Sequence, residues 1–91
     1  MNNKTLFLPL KAKWYDMIES GIKTEEYREF KEYWFKRLAN KKYKYVRFSY
    51  GYTRRTMTFE IEDLGWDIGR PEWGAIPGKV CFVIRLGRRL K

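Results

Sequence analysis

Residues 21–28 read Gly-Ile-Lys-Thr-Glu-Glu-Tyr-Arg and lie between two hydrophobic segments of the chain. Gly21 follows a segment with helical spacing, and glycine readily takes the left-handed conformation that ends a helix. The next residues are expected to form a strand, in which alternation places Glu26 and Arg28 on one face. Lys23 lies in the turn before that strand and is free of the alternation. The sequence therefore predicts that one carboxylate and two cations converge at a helix-to-strand corner.

Two interpretations of this charged stretch stay open. Charge runs usually face water, and residue types alone favour a solvated strand. The complete spacing Gly-x-Lys-x-x-Glu-x-Arg, with a helix before it and a strand after it, favours a functional site. An internal ion pair between Glu26 and Arg28 that holds the corner is compatible with a binding function and with a catalytic one.

The length and charge of the chain limit its fold and its partners. Its 91 residues correspond to one domain, residues 1–91. Twenty Lys and Arg side chains against 11 Asp and Glu give a net charge of +9. This excess favours an anionic partner such as RNA, DNA or a phosphorylated small molecule. Aromatic residues make up 19% of the chain, which suits a small core and base stacking equally.

Two residue types are scarce enough to exclude several kinds of site. The chain has no histidine, which excludes a Ser-His-Asp triad, a Cys-His dyad and any histidine metal ligand. Its single cysteine, Cys81, cannot form an internal disulfide or a thiolate cluster, and we interpret it as a buried apolar residue. We therefore expect no metal, no cofactor and a cytoplasmic protein. The longest apolar run near the start, residues 6–10, is shorter than a signal peptide or membrane span requires.

The hydrophobic periodicity predicts five strands and two helices. Pro9 indicates that the first strand is at an edge or ends there, and apolar residues on both faces indicate that the last strand is central. The fold class is therefore α+β: a small closed or nearly closed β-barrel of about five strands, with two helices in the N-terminal half. The predicted strands are residues 5–10, 24–28, 45–50, 56–64 and 80–86; the helices are residues 11–20 and 30–39. Residues 1–4 are expected to form a frayed tail and residues 65–78 a long loop.

Besides the Gly-x-Lys-x-x-Glu-x-Arg motif, five short segments contribute to a resemblance with a known family: residues 14–18, 33–34, 51–52, 73–74 and 82–87. With them the chain resembles the short, phage- and bacterium-type members of the ASCH family, whose domains are similar to PUA-like RNA-binding barrels. The resemblance implies a PUA-like barrel that binds RNA, a nucleotide or a modified nucleoside in a cleft beside it. The residues that it assigns to this cleft, together with two stacking aromatics, are Gly21, Lys23, Glu26, Arg28, Tyr52 and Trp73.

A second hypothesis is a small hydrolase that works without a metal. Some small ASCH proteins are similar to an amidohydrolase that deacetylates N4-acetylcytidine, and ribonuclease activity is also attached to the family. Lys23 matches the lysine of the amidohydrolase, but Glu26 occupies its threonine position, and Glu72 is only a possible substitute for its distant glutamate. If the protein is an enzyme, Lys23 and Glu26 are its catalytic residues, with Glu26 as general base and Lys23 and Arg28 stabilising an oxyanion. Two flanking cations weaken a base, so binding is favoured over catalysis.

The two cations are expected to differ in their effect on stability. Lys23 lies in a turn, so Lys23→Ala should remove little buried area and cost less than roughly 1 kcal/mol. Arg28→Ala should leave a carboxylate without its partner and cost about 3–5 kcal/mol.

Overall fold

Five strands and two α-helices form residues 4–91, the part of the chain that the computed structural model describes. They confirm the α+β class with five strands and two helices. The first three residues of the predicted tail, residues 1–3, lie outside the part of the chain that the structure describes. Neither α-helix is long and apolar enough to cross a membrane. In chain order the elements are β1 (Thr5–Leu10), α1 (Ala12–Glu19), β2 (Glu25–Glu29), α2 (Glu32–Leu38), β3 (Tyr45–Tyr50), β4 (Thr56–Ile68), a 3-10 helix (Pro71–Trp73) and β5 (Val80–Arg89).

The five strands form one sheet in the order β1-β3-β4-β5-β2, curled into a half-barrel. β1 pairs with β3 in parallel, and the other neighbours pair antiparallel. The predicted edge position of β1, which contains Pro9, is confirmed, and so is the central position of β5. The sheet does not close, because β1 and β2 are its two unpaired edges.

The inward faces of the strands and of α1 build the main core. Alternation along β1 buries every second residue, and alternate residues of β3, β4 and β5 join the same core: Val46, Phe48, Met57, Phe59, Phe82 and Ile84. From α1, Tyr15 and Ile18 point into this core. A smaller cluster on the other side of β2 and β5 contains Tyr27, Val83 and Cys81. Cys81 is buried and free, as predicted, and burial raises the pKa of its thiol.

The prediction of a long loop at residues 65–78 is wrong for residues 65–68. β4 continues to Ile68, and residues 65–68 pair with residues 80–83 of β5. Gly65 does not end the strand, because the partner strand fixes its backbone and Trp66 and Ile68 continue the alternation of Leu64. Register shifts near Ile61 mark β-bulges, which increase the bending of a strand. The connection between β4 and β5 is therefore residues 69–79, and it carries the 3-10 helix.

Gly69 follows β4 at a point where the chain passes close to Tyr27. A Cβ atom at Gly69 would lie 2.7 Å from Cε1 of Tyr27 and 2.8 Å from Cβ of Ala75. We expect Gly69→Ala to lower the free energy of unfolding by about 1–3 kcal/mol, the usual cost of overpacking, in a urea titration. Gly65→Ala is the control, because its Cβ would make only an ordinary 3.5 Å contact with Oδ2 of Asp63. Equal stability of the two variants would contradict the tight packing at Gly69.

Candidate ligand-binding site between the edge strands

A cavity of about 260 Å³, called here the seam cavity, lies between the two edge strands. β1 supplies one wall and β2 the other, and the start of α1 and the end of the 3-10 helix supply the rest. Nη2 of Arg28 on β2 donates to the carbonyl oxygen of Pro9 on β1 at 3.4 Å. Side chains rather than strand pairing therefore bridge this opening of the half-barrel. The lining consists of residues 9–11, Trp14, Lys23, residues 26–28 and residues 73–74.

Glu26 is the carboxylate at the centre of the seam cavity, and only 4% of it is exposed. Its Oε2 accepts from Nη1 of Arg28. Its Oε1 lies 2.9 Å from Nζ of Lys23, which is ion-pair distance, but receives no hydrogen bond of acceptable geometry. Among residues 4–91 this Oε1 is the buried side-chain oxygen without a well-oriented donor. Buried acceptors are nearly always satisfied, and the Lys23 ammonium, which has three rotatable N–H donors, is the group close enough to satisfy this one.

Lys23 is the most deeply buried cation of the site, with 2% of its surface exposed. Its Nζ donates to the carbonyl oxygen of Trp73 and lies 4.6 Å from the ring centroid of Trp14 and 5.2 Å from that of Tyr27. Burial lowers the pKa of Lys23, and the negative charge of Glu26 opposes that shift. Lys23 lies in the connection before β2, as predicted. Its side chain is buried, however, so the expectation that Lys23→Ala would remove little buried area is wrong.

Arg28 completes the group from the strand itself. Glu26 and Arg28 pair opposite Ile84 and Phe82, so they share the inner face of the sheet, as the alternation predicted. Nη1 of Arg28 also donates to the carbonyl oxygen of Tyr27 at 2.8 Å. The three side chains Lys23, Glu26 and Arg28 thus sum to one positive charge in a largely dehydrated place. Such a group can bind a polar ligand edge and can also hold the corner of the fold.

The structure separates the remaining predicted site residues. Trp73 lines the seam cavity and gives its carbonyl oxygen to Lys23. Gly21 takes the expected left-handed conformation, with φ at 87°, but ends α1 outside the cavity lining. Tyr52 is 95% exposed in the turn between β3 and β4, and it does not line the cavity either. Glu72 is exposed, paired with Arg70 at 3.5 Å, and also outside the lining.

Trp14 lines the cavity, although its spacing of i, i+3 and i+4 puts it in one helical stripe with Met17 and the buried Ile18. The core instead takes Tyr15, because only one of two adjacent helical residues can point directly inward. The sequence did contain a signal for this arrangement, because Trp14 and Tyr15 are adjacent aromatic residues. A helix that points one of them into the core must point the other towards a different surface. Gly74 packs against this ring, since a Cβ there would lie 3.0 Å from Cζ2 of Trp14.

Comparison with known proteins returns no match: no family model, no curated protein and no solved structure is similar to the chain. The ASCH resemblance therefore stays a prediction. Within residues 4–91, no three histidine, cysteine or carboxylate side chains are grouped so that they could hold a metal ion.

Proposed function

We propose that the chain is a cytoplasmic ASCH-type, PUA-like domain that binds RNA or a nucleotide, with one nucleotide unit in the seam cavity. The observation that carries this proposal is the charged group of Lys23, Glu26 and Arg28, which lines the cavity. Base edges carry hydrogen-bond donors and acceptors that can pair with such a group, and recognition of splayed single-stranded bases uses such edges. The cavity volume of about 260 Å³ lies near the lower end of the range for small-molecule pockets, which begins at roughly 300 Å³. The cavity therefore has room for one base and not for a nucleic-acid helix.

Aromatic and charged residues around Glu26 support the same class of ligand. Trp14 and Trp73 line the cavity, and tryptophan is a residue type on which bases stack. The exposed Lys11 lies at its rim. The net charge of +9 draws polyanions to the surface and makes binding sensitive to salt.

One observation favours the alternative of a small hydrolase acting on RNA or on a modified nucleoside such as N4-acetylcytidine. Burial lowers the pKa of Lys23, so this amine releases its proton more easily than an exposed lysine does. A neutral amine beside Glu26 could accept a proton from an attacking water. Glu72 cannot assist at that point, because it lies outside the cavity lining. Binding remains the first proposal, since both oxygens of Glu26 are close to cations.

The direct test is a titration with the four ribonucleoside 5′-monophosphates, short single-stranded RNAs and N4-acetylcytidine, followed by indole N–H resonances and by product analysis. The four tryptophans give four indole probes. We expect the indoles of Trp14 and Trp73 to shift most, because they line the cavity. Shifts confined to other tryptophans would place the ligand elsewhere, and released acetate or cleaved RNA would favour the hydrolase.

Reversing the charge of Lys11 should weaken RNA binding more than the same reversal at Lys42. Lys11 lies at the cavity rim, whereas Lys42 is exposed in the connection before β3 and outside the cavity lining. Each phosphate contact on a single strand contributes about 0.7 to the slope of log affinity against log salt. We therefore expect Lys11→Glu to lower that slope by about one such contact. Equal losses in Lys11→Glu and Lys42→Glu would show that only the overall charge matters.

A further inference from the structure

A second cavity, of about 400 Å³, opens beside the seam cavity. Tyr27, Arg28 and Gly74 line both cavities, so the two meet at the outer end of β2. The seam cavity is the polar half of this adjacent pair, around Glu26, and the second cavity is the more apolar half. The pair offers more room than a single base requires. Beyond the shared residues, the second cavity is lined by residues 29–31, residues 75–76 and residues 79–81.

The apolar half presents a supported aromatic face. Phe30 is 40% exposed, and its ring centroid lies 4.7 Å from that of Phe82 and 4.8 Å from that of Phe35. These contacts, and a third with Trp66 at 6.3 Å, restrict the ring, so a partner can pack on its exposed part with little further ordering. Ile76 and Val80 are exposed large apolar residues of the same cavity lining. An exposed aromatic held in this way is the kind of platform on which nucleic-acid bases stack.

The charges along the second cavity suit an anion. Arg28, Lys31 and Lys79 line it against one carboxylate, Glu29. Lys31 is paired with Glu29 at 2.8 Å. The ammonium group of Lys79 has no carboxylate within ion-pair distance among residues 4–91, which leaves it available to a phosphate. An apolar peptide would bury this positive charge without a partner, whereas a nucleotide would compensate it.

We infer that the second cavity binds the neighbouring nucleotide of a single-stranded RNA whose first base occupies the seam cavity. The second base stacks on Phe30, and its phosphate lies towards Lys79. This inference rests on the proposed function and gives it a substrate class: an oligonucleotide of at least two units rather than a free mononucleotide.

The test compares the best-bound ribonucleoside 5′-monophosphate with its homotetranucleotide. We expect the tetranucleotide to bind about tenfold more tightly, since each stacked base adds affinity on that scale. Phe30→Leu keeps an apolar cover over Phe82 but removes the aromatic face, and Lys79→Ala removes the charge. Each should weaken the tetranucleotide about fivefold or more and leave the mononucleotide unchanged. Tyr33→Leu is the matched control, because Tyr33 is an exposed aromatic that lines neither cavity.

Three results would overturn the inference in distinguishable ways. If the mononucleotide binds and the tetranucleotide binds no better, the second cavity is not a subsite, although the proposed function stands. The same follows if Phe30→Leu, Lys79→Ala and Tyr33→Leu behave alike. If neither ligand binds at low salt, the proposed function fails and the inference with it. Sedimentation of the free protein completes the test, because a dimer dissociated by Phe30→Leu would assign this face to a second copy of the chain.

Discussion

Replacing Glu26 with Gln is expected to lower the free energy of unfolding by about 3–5 kcal/mol, the usual cost of removing one partner from a buried ion pair. Glu26 is the carboxylate between Lys23 and Arg28, so its loss raises the charge of the group from +1 to +2. Lys23 is 2% exposed and cannot regain water without opening the corner between α1 and β2. The measurement is a urea titration followed by tryptophan fluorescence, with the parent chain as reference.

The control for this change is Glu29→Gln, three residues along the same strand. Glu29 is also paired with a lysine, Lys31, at 2.8 Å, but both side chains are at least half exposed. Exposed pairs contribute only about 0–1 kcal/mol, so Glu29→Gln should hardly alter the unfolding midpoint. The two substitutions remove the same charge from the same strand and differ mainly in burial. Similar losses for both would show that burial of the Glu26 group does not determine the stability of the corner.

Several elements follow from local sequence patterns because their physical cause is local. Pro9 lacks an N–H group and so indicated an edge strand, which β1 is. β5 was recognisable as central because apolar residues occupy both of its faces. The convergence of Glu26 and Arg28 follows from alternation along one strand, and these two side chains do form an ion pair.

The features that the sequence did not predict depend on distant contacts. The second half of β4 forms because β5 pairs with it, and the alternation of Leu64, Trp66 and Ile68 does not by itself specify that partner. Lys23 is buried because it donates to the carbonyl of Trp73, 50 residues away in the chain. Trp14 faces the cavity because the core accepts its neighbour Tyr15 instead. The second cavity likewise combines β2 with the connection between β4 and β5.

Adding Lys23→Met to the Glu26→Gln variant is expected to restore about 1–3 kcal/mol of the stability lost, a typical coupling energy for residues in contact. The second substitution removes the buried charge that the first leaves without a carboxylate. Methionine is unbranched and flexible, and it can fill the space of the lysine chain between Trp14 and Tyr27. The carbonyl oxygen of Trp73 loses its donor, so the recovery should be incomplete. In the parent chain, Lys23→Met should cost less than Glu26→Gln, because it leaves a neutral pair of Glu26 and Arg28.

The pH dependence of that recovery isolates the charge on Lys23. Burial lowers the pKa of Lys23 from its ordinary 10.5, and Glu26→Gln removes the carboxylate whose charge raised it. Between the lowered folded value and 10.5 the unfolded chain binds more protons than the folded one, so this group's contribution to stability rises with pH. The Glu26→Gln variant should therefore approach the double variant in stability as the pH rises from neutral towards 10.5. Other titrating groups are common to both proteins and cancel in the difference. A gap that stays constant over this range would mean that the cost of Glu26→Gln comes from packing or lost hydrogen bonds rather than from a buried ammonium.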